Sequence, residues 1–477
     1  MLANGNLPQR RVAVAFTILT GLIAVGVGSY AAAQSPLRQL LEPAITDIDE
    51  RQYADVNHAI DLFRRGQLDE AKDAFVASKE KHPELPPGEI LFAQLLVATN
   101  QGAAARNAFE LAAKNHPQDP EAYVAFGEIA LNQNQVTDGE ALMEKGLALA
   151  EAFKGNPKRK RNLTLRSLAG LATVYERRED FATALKYLER WVKMDPDNAA
   201  PYARLARAQF ELEDVKEAYL TLNKQHEVDE NAPRAEVSMA LLYEQESREQ
   251  GKQELRQNAA KLMKLAVDRD PKDLQVRLAA AEWAAEADEL AFARENAQEA
   301  LKIDGDSLQA MLLLGLVARY QGDLTTAEKM FSQALLKSPG NFGALNNMAI
   351  TLVATDDNEK RQRALELAEL LARANSDRNQ QLGREAAITF AWCLLAMGRE
   401  VEANRVVQAA LSAGSVSRES GYYTARVLAE VKRYEDAIKV LGPMMDVSQD
   451  YPMKDLAKAL YDKILAENPS LKPKDRR

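Results

Sequence analysis

The sequence predicts an all-α fold, a solenoid of helix-turn-helix repeats about eleven units long. Three observations carry this. Alanine occurs 79 times in 477 residues, and aromatics make up only 6%. Ala, Leu, Glu, Lys, Gln and Arg are the good helix formers, and a β-sandwich of this length needs more β-branched and aromatic residues. A small residue returns at Ala71, Ala105, Gly139, Ala184, Ala218, Ala259, Ala293, Ala327, Ala364, Ala403 and Ala437, with most steps being 34 residues. Proline closes several of these periods at a fixed distance, at Pro83, Pro117, Pro196, Pro271 and Pro339. Charged residues at 27% and hydrophobics at 46% describe a globular chain and not a disordered one.

Residues 1–33 stand outside this pattern. Arg10 and Arg11 precede an uncharged stretch from Val12 to Ala33. A basic start, an apolar centre and Ala31 and Ala33 before Gln34 fit a secretory signal peptide. The stretch is also just long enough to cross a ~30 Å hydrocarbon core as a retained membrane anchor, a transmembrane helix. Gly21, Gly26, Gly28 and Ser29 weaken its end as an apolar helix. This favours cleavage after Ala33, with the anchor as the open alternative. In both cases the rest of the chain is exported, periplasmic or anchored and facing away from the cytoplasm, because basic residues before an apolar stretch stay inside. Residues 34–51 read as a lead-in, 52–450 as the solenoid and 451–477 as a capping helix with a basic tail. An open solenoid end exposes a core face, so a cap is required; Leu456, Ala459, Leu460 and Ile464 give this one its apolar side.

Within the solenoid a large residue stands four positions after the small one, as in Phe75, Phe109, Met143, Leu188, Leu222, Met263 and Phe331. A second small residue follows at seven, as in Ala112, Gly146, Ala266, Ala300, Ala334 and Ala410. Spacings of four and seven mark one helical face. The clearest copy, Leu308 to Asn341, carries Leu314-Gly315, Gly322-Asp323, Ala327, Phe331, Ala334 and Pro339. In period and pattern the chain resembles the tetratricopeptide-repeat (TPR) family over about residues 52 to 450. The resemblance implies a right-handed superhelical solenoid. Gly315 and Ala327 would let two helices cross closely, and Phe331 would fill the groove against the next unit. Trp191 departs from the pattern where alanine is expected, and Ala297 where a large residue is. Four steps exceed 34, and their excess falls in loops or lengthened helix ends.

Little points to catalysis. The single cysteine, Cys393, rules out a disulfide framework, and beside Trp392 on an apolar helix it reads as a buried thiol. His82 and His116 share the repeat spacing and read as helix-end residues. His58 and His226 have no Cys or His near them in sequence, so no metal site is expected. Phosphate-loop, His-Glu-x-x-His and Gly-x-Ser-x-Gly motifs are absent. Asp356-Asp357-Asn358-Glu359 lacks the Gly and distal Glu of a calcium loop. The formal net charge of −9 supplies no field for phosphate backbones, so no nucleic-acid partner is expected. The one basic run, Pro157-Lys158-Arg159-Lys160-Arg161, reads as a solvated loop inserted between units, or a contact for an acidic partner or anionic lipid.

The resemblance places a concave groove on the first helix of each unit. Its candidate residues are Arg204, Arg207, Phe210, Arg234, Trp283, Arg319, Asn346, Asn347, Trp392, Tyr422 and Arg426. Arginine and aromatic side chains are the usual interface anchors, and arginine grips carboxylates in a fork. Asn346 and Asn347 partly resemble the set by which some family members hold the acidic tails of chaperones, but the matching lysines are missing and that ligand is not expected. The expected function is a non-enzymatic protein-protein interaction scaffold outside the cytoplasm, without cofactors. It would bind a peptide or protein partner in the groove, in assembly of an envelope or export complex, with membrane contact through residues 12–33. The alternatives are a regulatory subunit of an enzyme and a self-assembling structural protein.

Overall fold

The computed structural model describes residues 54–445 and 450–471. The expected signal or anchor, the lead-in and the basic tail from residue 472 lie outside the described residues. Among the described residues there are twenty-three α-helices, one 3-10 turn and no strand. None of these helices is long and apolar enough to cross a membrane.

The chain forms two compact units that meet between Arg178 and Glu179. In the first, α1 (Ala54–Arg64) precedes α2 (Leu68–Lys81), α3 (Gly88–Ala98) precedes α4 (Gly102–Asn115), α5 (Glu121–Asn132) precedes α6 (Val136–Ala152), and α7 (Pro157–Arg177) ends the unit. The second opens with α8 (Phe181–Met194). It continues as pairs: α9 (Ala200–Glu211) and α10 (Val215–Val228), α11 (Ala235–Gln250) and α12 (Gln253–Arg269), α13 (Leu274–Glu286) and α14 (Leu290–Ile303). Next come α15 (Leu308–Tyr320) and α16 (Leu324–Lys337), then α17 (Phe342–Val353) and α18 (Asn358–Ala374). The last pairs are α19 (Gln381–Ala396) with α20 (Glu400–Ala413) and α21 (Arg418–Glu430) with α22 (Tyr434–Met445), and the single helix α23 (Lys454–Glu467) follows. Counted along the chain, this is eleven first-and-second helices and a cap, as the period predicts.

The recurrent small residues sit at the crossings. Ala71, Ala184, Ala218, Ala293, Ala327, Ala403 and Ala437 are all fully buried. At the clearest copy the approach is so close that a Cβ on Gly315 would lie 2.7 Å from the Phe331 ring. Phe331 is itself fully buried, in a core shared with Met348 and Ala349 of the next first helix.

The turn inside the pair also repeats, in nine of the eleven pairs. A residue in the left-handed region closes the first helix at Gly66, Asn100, Asn134, Glu179, Glu213, Asp288, Gly322, Gly398 and Lys432. The following N–H then reaches back to cap the helix, as Asp323 does to the Ala318 carbonyl at 2.8 Å and Arg433 to that of Leu428 at 2.8 Å. This is the Schellman arrangement, which satisfies carbonyls that the helix end leaves bare. Asp214, Asp323, Ser307 and Asn341 cap the helices that follow them.

The longer steps resolve mostly into longer helices. The step of 45 lies in α6, 17 residues, and α7, 21 residues. The basic run is therefore not an inserted loop: it is the first turn of α7. The Asn156 side chain accepts from the Lys158 and Arg159 N–H groups, and Pro157 sits where no N–H is required. Arg159 is buried, with its guanidinium on Asp119 at 2.6 Å and Glu121 at 3.0 Å. The step of 41 lies in α11, 16 residues, and α12, 17 residues, with a six-residue linker before them. His82 and His116 are the C-caps of α2 and α4, as their spacing suggests.

Because each pair rests on its neighbours, damage at one crossing stays local. Replacing Ala327 by tryptophan overpacks the α15–α16 crossing at a cost of ~3 kcal/mol. Hydrogen exchange is expected to lose protection from α15 to α18 while α1 to α4 keep theirs. Uniform protection in that variant would contradict the local packing.

Candidate partner-binding groove

The residue following the small one on each first helix samples the same face of successive pairs. In the second unit these are Arg207, Leu241, Glu282, Leu316, Ile350, Trp392 and Arg426. Their exposure changes along the series. Arg207 is exposed and Leu241 is 49% exposed, whereas Ile350 is only 4% exposed. The position is exposed on α9 and α11, half-buried at Glu282, Leu316, Trp392 and Arg426, and closed at Ile350.

The chain itself fills it. Arg319, on α15, is buried and pairs with Glu419 of α21 at 2.6 Å, about a hundred residues later. It also donates to the Tyr423 hydroxyl at 3.2 Å and stacks 4.6 Å from the Tyr320 ring. Burial works against its charge, but Glu419, Tyr423 and Tyr320 outweigh that and hold the guanidinium pKa above its ordinary value. Burial pushes the Tyr320 phenol well up, and Glu419 pushes it further; Tyr320 donates to Glu419 at 2.9 Å. Trp392 lies 5.2 Å from Tyr423, Arg426 stacks 5.2 Å over Trp392, and the Arg426 guanidinium donates to the Tyr422 hydroxyl at 3.1 Å.

A second tie lies toward the cap. Arg256, on α12, pairs with Glu244 at 3.6 Å and donates to the Asp450 carbonyl at 3.0 Å. Glu244 also accepts from the Trp283 indole at 3.2 Å. Arg418 stacks 5.0 Å over Tyr451. Burial lowers the Arg418 pKa, Tyr451 offsets it, and the charges of Arg248 and Arg256 lower it further.

The predicted groove residues thus divide. Arg319, Trp392, Tyr422 and Arg426 form one cluster, and Trp283 belongs to the Glu244 network. Phe210 is buried edge-on to Tyr243 at 4.9 Å. Arg204 stacks 5.5 Å from Trp191. Arg234 pairs with Asp270 at 3.2 Å and Asp273 at 3.6 Å. Asn346 accepts from the Thr389 hydroxyl at 2.6 Å, and Asn347 donates to the Gly343 carbonyl at 2.9 Å. Arg207 remains in the open part, 3.7 Å from Glu211.

Leu241 and Glu282 were absent from the expected set, although the position after each small residue marks both. Burial, and then the charge of Glu286, push the Glu282 carboxyl up. In the first unit the corresponding face carries a polar chain: Gln94 donates to Glu121 at 2.8 Å, and Arg166 joins Glu121 at 3.1 Å to Glu128 at 2.6 Å.

Three stretches, residues 90–157, 177–242 and 309–341, match family descriptions of the tetratricopeptide repeat. These stretches carry tetratricopeptide repeats, and the third match coincides with the clearest copy. Among solved structures, the crystal structure of yeast Tom70 is 14% identical with a TM-score of 0.36, covering 89% of this chain and 99% of that one. YrrB, described as a TPR protein with an unusual peptide-binding site, is 17% identical with a TM-score of 0.24, covering 50% of this chain and 97% of its own. No curated protein matches the sequence.

Removing one partner of a buried ion pair leaves an uncompensated charge, at ~3 kcal/mol or more. Glu419→Leu is therefore expected to lower exchange protection in both α15 and α21. Adding Arg319→Met should restore much of it. If Glu419→Leu alone leaves α15 unchanged, Arg319 is not held from α21.

Proposed function

We propose that the chain is a non-enzymatic interaction scaffold holding a protein or peptide partner along α9 and α11. The observation carrying this reading is the equivalent position left exposed on two successive first helices, at Arg207 and Leu241, where Ile350 and the Arg319–Glu419 cluster close the same face farther along. The lining is mixed. Leu241 offers apolar area to bury. Burial pushes the Glu211 carboxyl up, Arg207 draws it down, and Glu246 and Glu249 push it up again. A segment with apolar and basic side chains suits that lining.

Cys393 supports the non-catalytic reading. It is fully buried, and burial pushes its thiol up to about 12, which keeps it protonated and unreactive near neutral pH. The compartment is read from Arg10, Arg11 and the apolar stretch after them. We place the scaffold outside the cytoplasm, in assembly of an envelope or export complex, with residues 12–33 removed or kept as an anchor.

A photo-crosslinking residue at position 241 should capture a protein partner in cells. The same residue at position 336, on the outer side of α16, should capture none. Equal capture at both positions, or none at either, would sink the groove reading. The compartment has its own test in the N-terminal residue of the mature chain. Gln34 is expected after cleavage and Met1 in the membrane fraction if the anchor is kept; an intact N-terminus in the soluble cytoplasmic fraction would refute export.

A further inference from the structure

A cleft of about 620 Å³ opens between α10 and α12, on the face made by the second helices and away from the groove. Its apolar lining comprises Val215 and Leu220 of α10, Met239 and Tyr243 of α11, and Leu262 of α12. Val215 is 38% and Leu220 49% exposed, so α10 leaves apolar area bare.

The cleft lies beside the pair α11 and α12, whose helices are 16 and 17 residues long and follow a six-residue linker. Its two second helices, α10 and α12, are tied at one end, where Arg269 of α12 reaches the Tyr219 hydroxyl at 2.8 Å and Glu236. Toward the other end the walls carry Lys216 and Lys261.

Three other pairs of neighbouring second helices in this unit are bridged by opposite charges. Lys264 of α12 meets Glu289 before α14 at 3.7 Å, Arg294 of α14 meets Asp323 before α16 at 2.5 Å, and Lys360 of α18 meets Glu328 of α16 at 2.6 Å. Two lysines facing one cleft cannot bridge each other, and both are exposed, so they offer positive charge to acidic side chains laid along it. The wall residues recur at helical spacing, Val215 with Tyr219, Lys216 with Leu220, and Asn258 with Leu262. A rod lying parallel to the walls fits them, and an apolar helix face in a groove is the mode this geometry serves.

We propose that this cleft receives an amphipathic helix of a partner protein, its apolar face on Leu220, Tyr243 and Leu262 and its flanking carboxylates on Lys216 and Lys261. The contact is independent of the groove on α9 and α11.

The test uses the full chain and two labelled synthetic amphipathic helical peptides, identical in their leucine face but flanked by Glu in one and Lys in the other. Fluorescence anisotropy should show saturable binding of the Glu-flanked peptide that weakens with salt. Leu220→Asp should weaken it ~10-fold or more. Lys216→Glu with Lys261→Glu should reverse the preference toward the Lys-flanked peptide. Leu220 is half-exposed, so the substitution should leave the circular dichroism unchanged; should it not fold, Val215→Ser reports on the same wall. Absence of saturable binding, equal affinity for both peptides, or indifference to the Leu220 and Val215 substitutions would overturn the proposal. A concentration-dependent rise in mass by light scattering, lost in Leu220→Asp, would assign the cleft to a second copy of the chain and overturn it as well.

Discussion

Everything in this molecule depends on how closely two helices cross at a small residue. The buried alanines leave no room for a larger side chain, and at Gly315 even a methyl group would meet the Phe331 ring. That closeness sets the path of each second helix, and with it the seat of the next first helix. Dispersion contacts are individually small and fall off steeply with distance. A crossing that opened slightly would therefore lose many contacts at once and pass the displacement along the array. One recurrent methyl-sized residue does the geometric work that a large core does in a compact domain.

A regular array would also leave its inner face open throughout, and this one does not. Arg319 to Glu419 and Arg256 to Asp450 join residues far apart in the chain, and both guanidiniums are buried. Buried ion pairs contribute little net stability, because desolvation offsets the Coulomb attraction. Their consequence is specificity of arrangement: with Glu419 in place, Arg319 has one satisfactory position and α21 has one seat. The aromatic side chains around that pair exclude water and lower the local dielectric. The pair is stronger for it, and more costly to break.

The repeat, the pair count and the crossing residues were legible in the sequence because they recur in phase. The turn inside each pair was only partly legible. Gly322 and Gly398 announce a left-handed residue, but Asn100, Glu179, Glu213, Asp288 and Lys432 adopt the same backbone without glycine's signal. There the capping hydrogen bond and the packing of the pair impose the conformation. The basic run was misread as a loop because clustered charge usually means solvent. Asp119 and Glu121, a whole pair earlier, are what allow Arg159 to be buried, and no local pattern exposes such a partner. The groove residues were legible as positions on first helices. Their surroundings depend on contacts a hundred residues apart, which the period cannot encode.

The departures from the period are where the chain acquires surfaces of its own. A pair of standard length meets its neighbours on both sides and leaves a uniform exterior, with charges bridged from one second helix to the next. The longer α11 and α12 break this in two directions. Near the turn between them, the lengthened end places Arg256 against Asp450 and helps fill the inner face. On the outer side, the cleft that Lys216 and Lys261 border lies beside the same pair. The hairpin crosses at Ala259, which is fully buried, and its added turns lie toward the turn beyond that crossing. The extra length has no place in the regular stack, so it must project, and what projects needs a new neighbour. On the inner face that neighbour is the chain's own C-terminal segment. On the outer face the lysines carry like charge and α10 keeps bare leucine, the two features that an apolar helix with acidic flanks would meet.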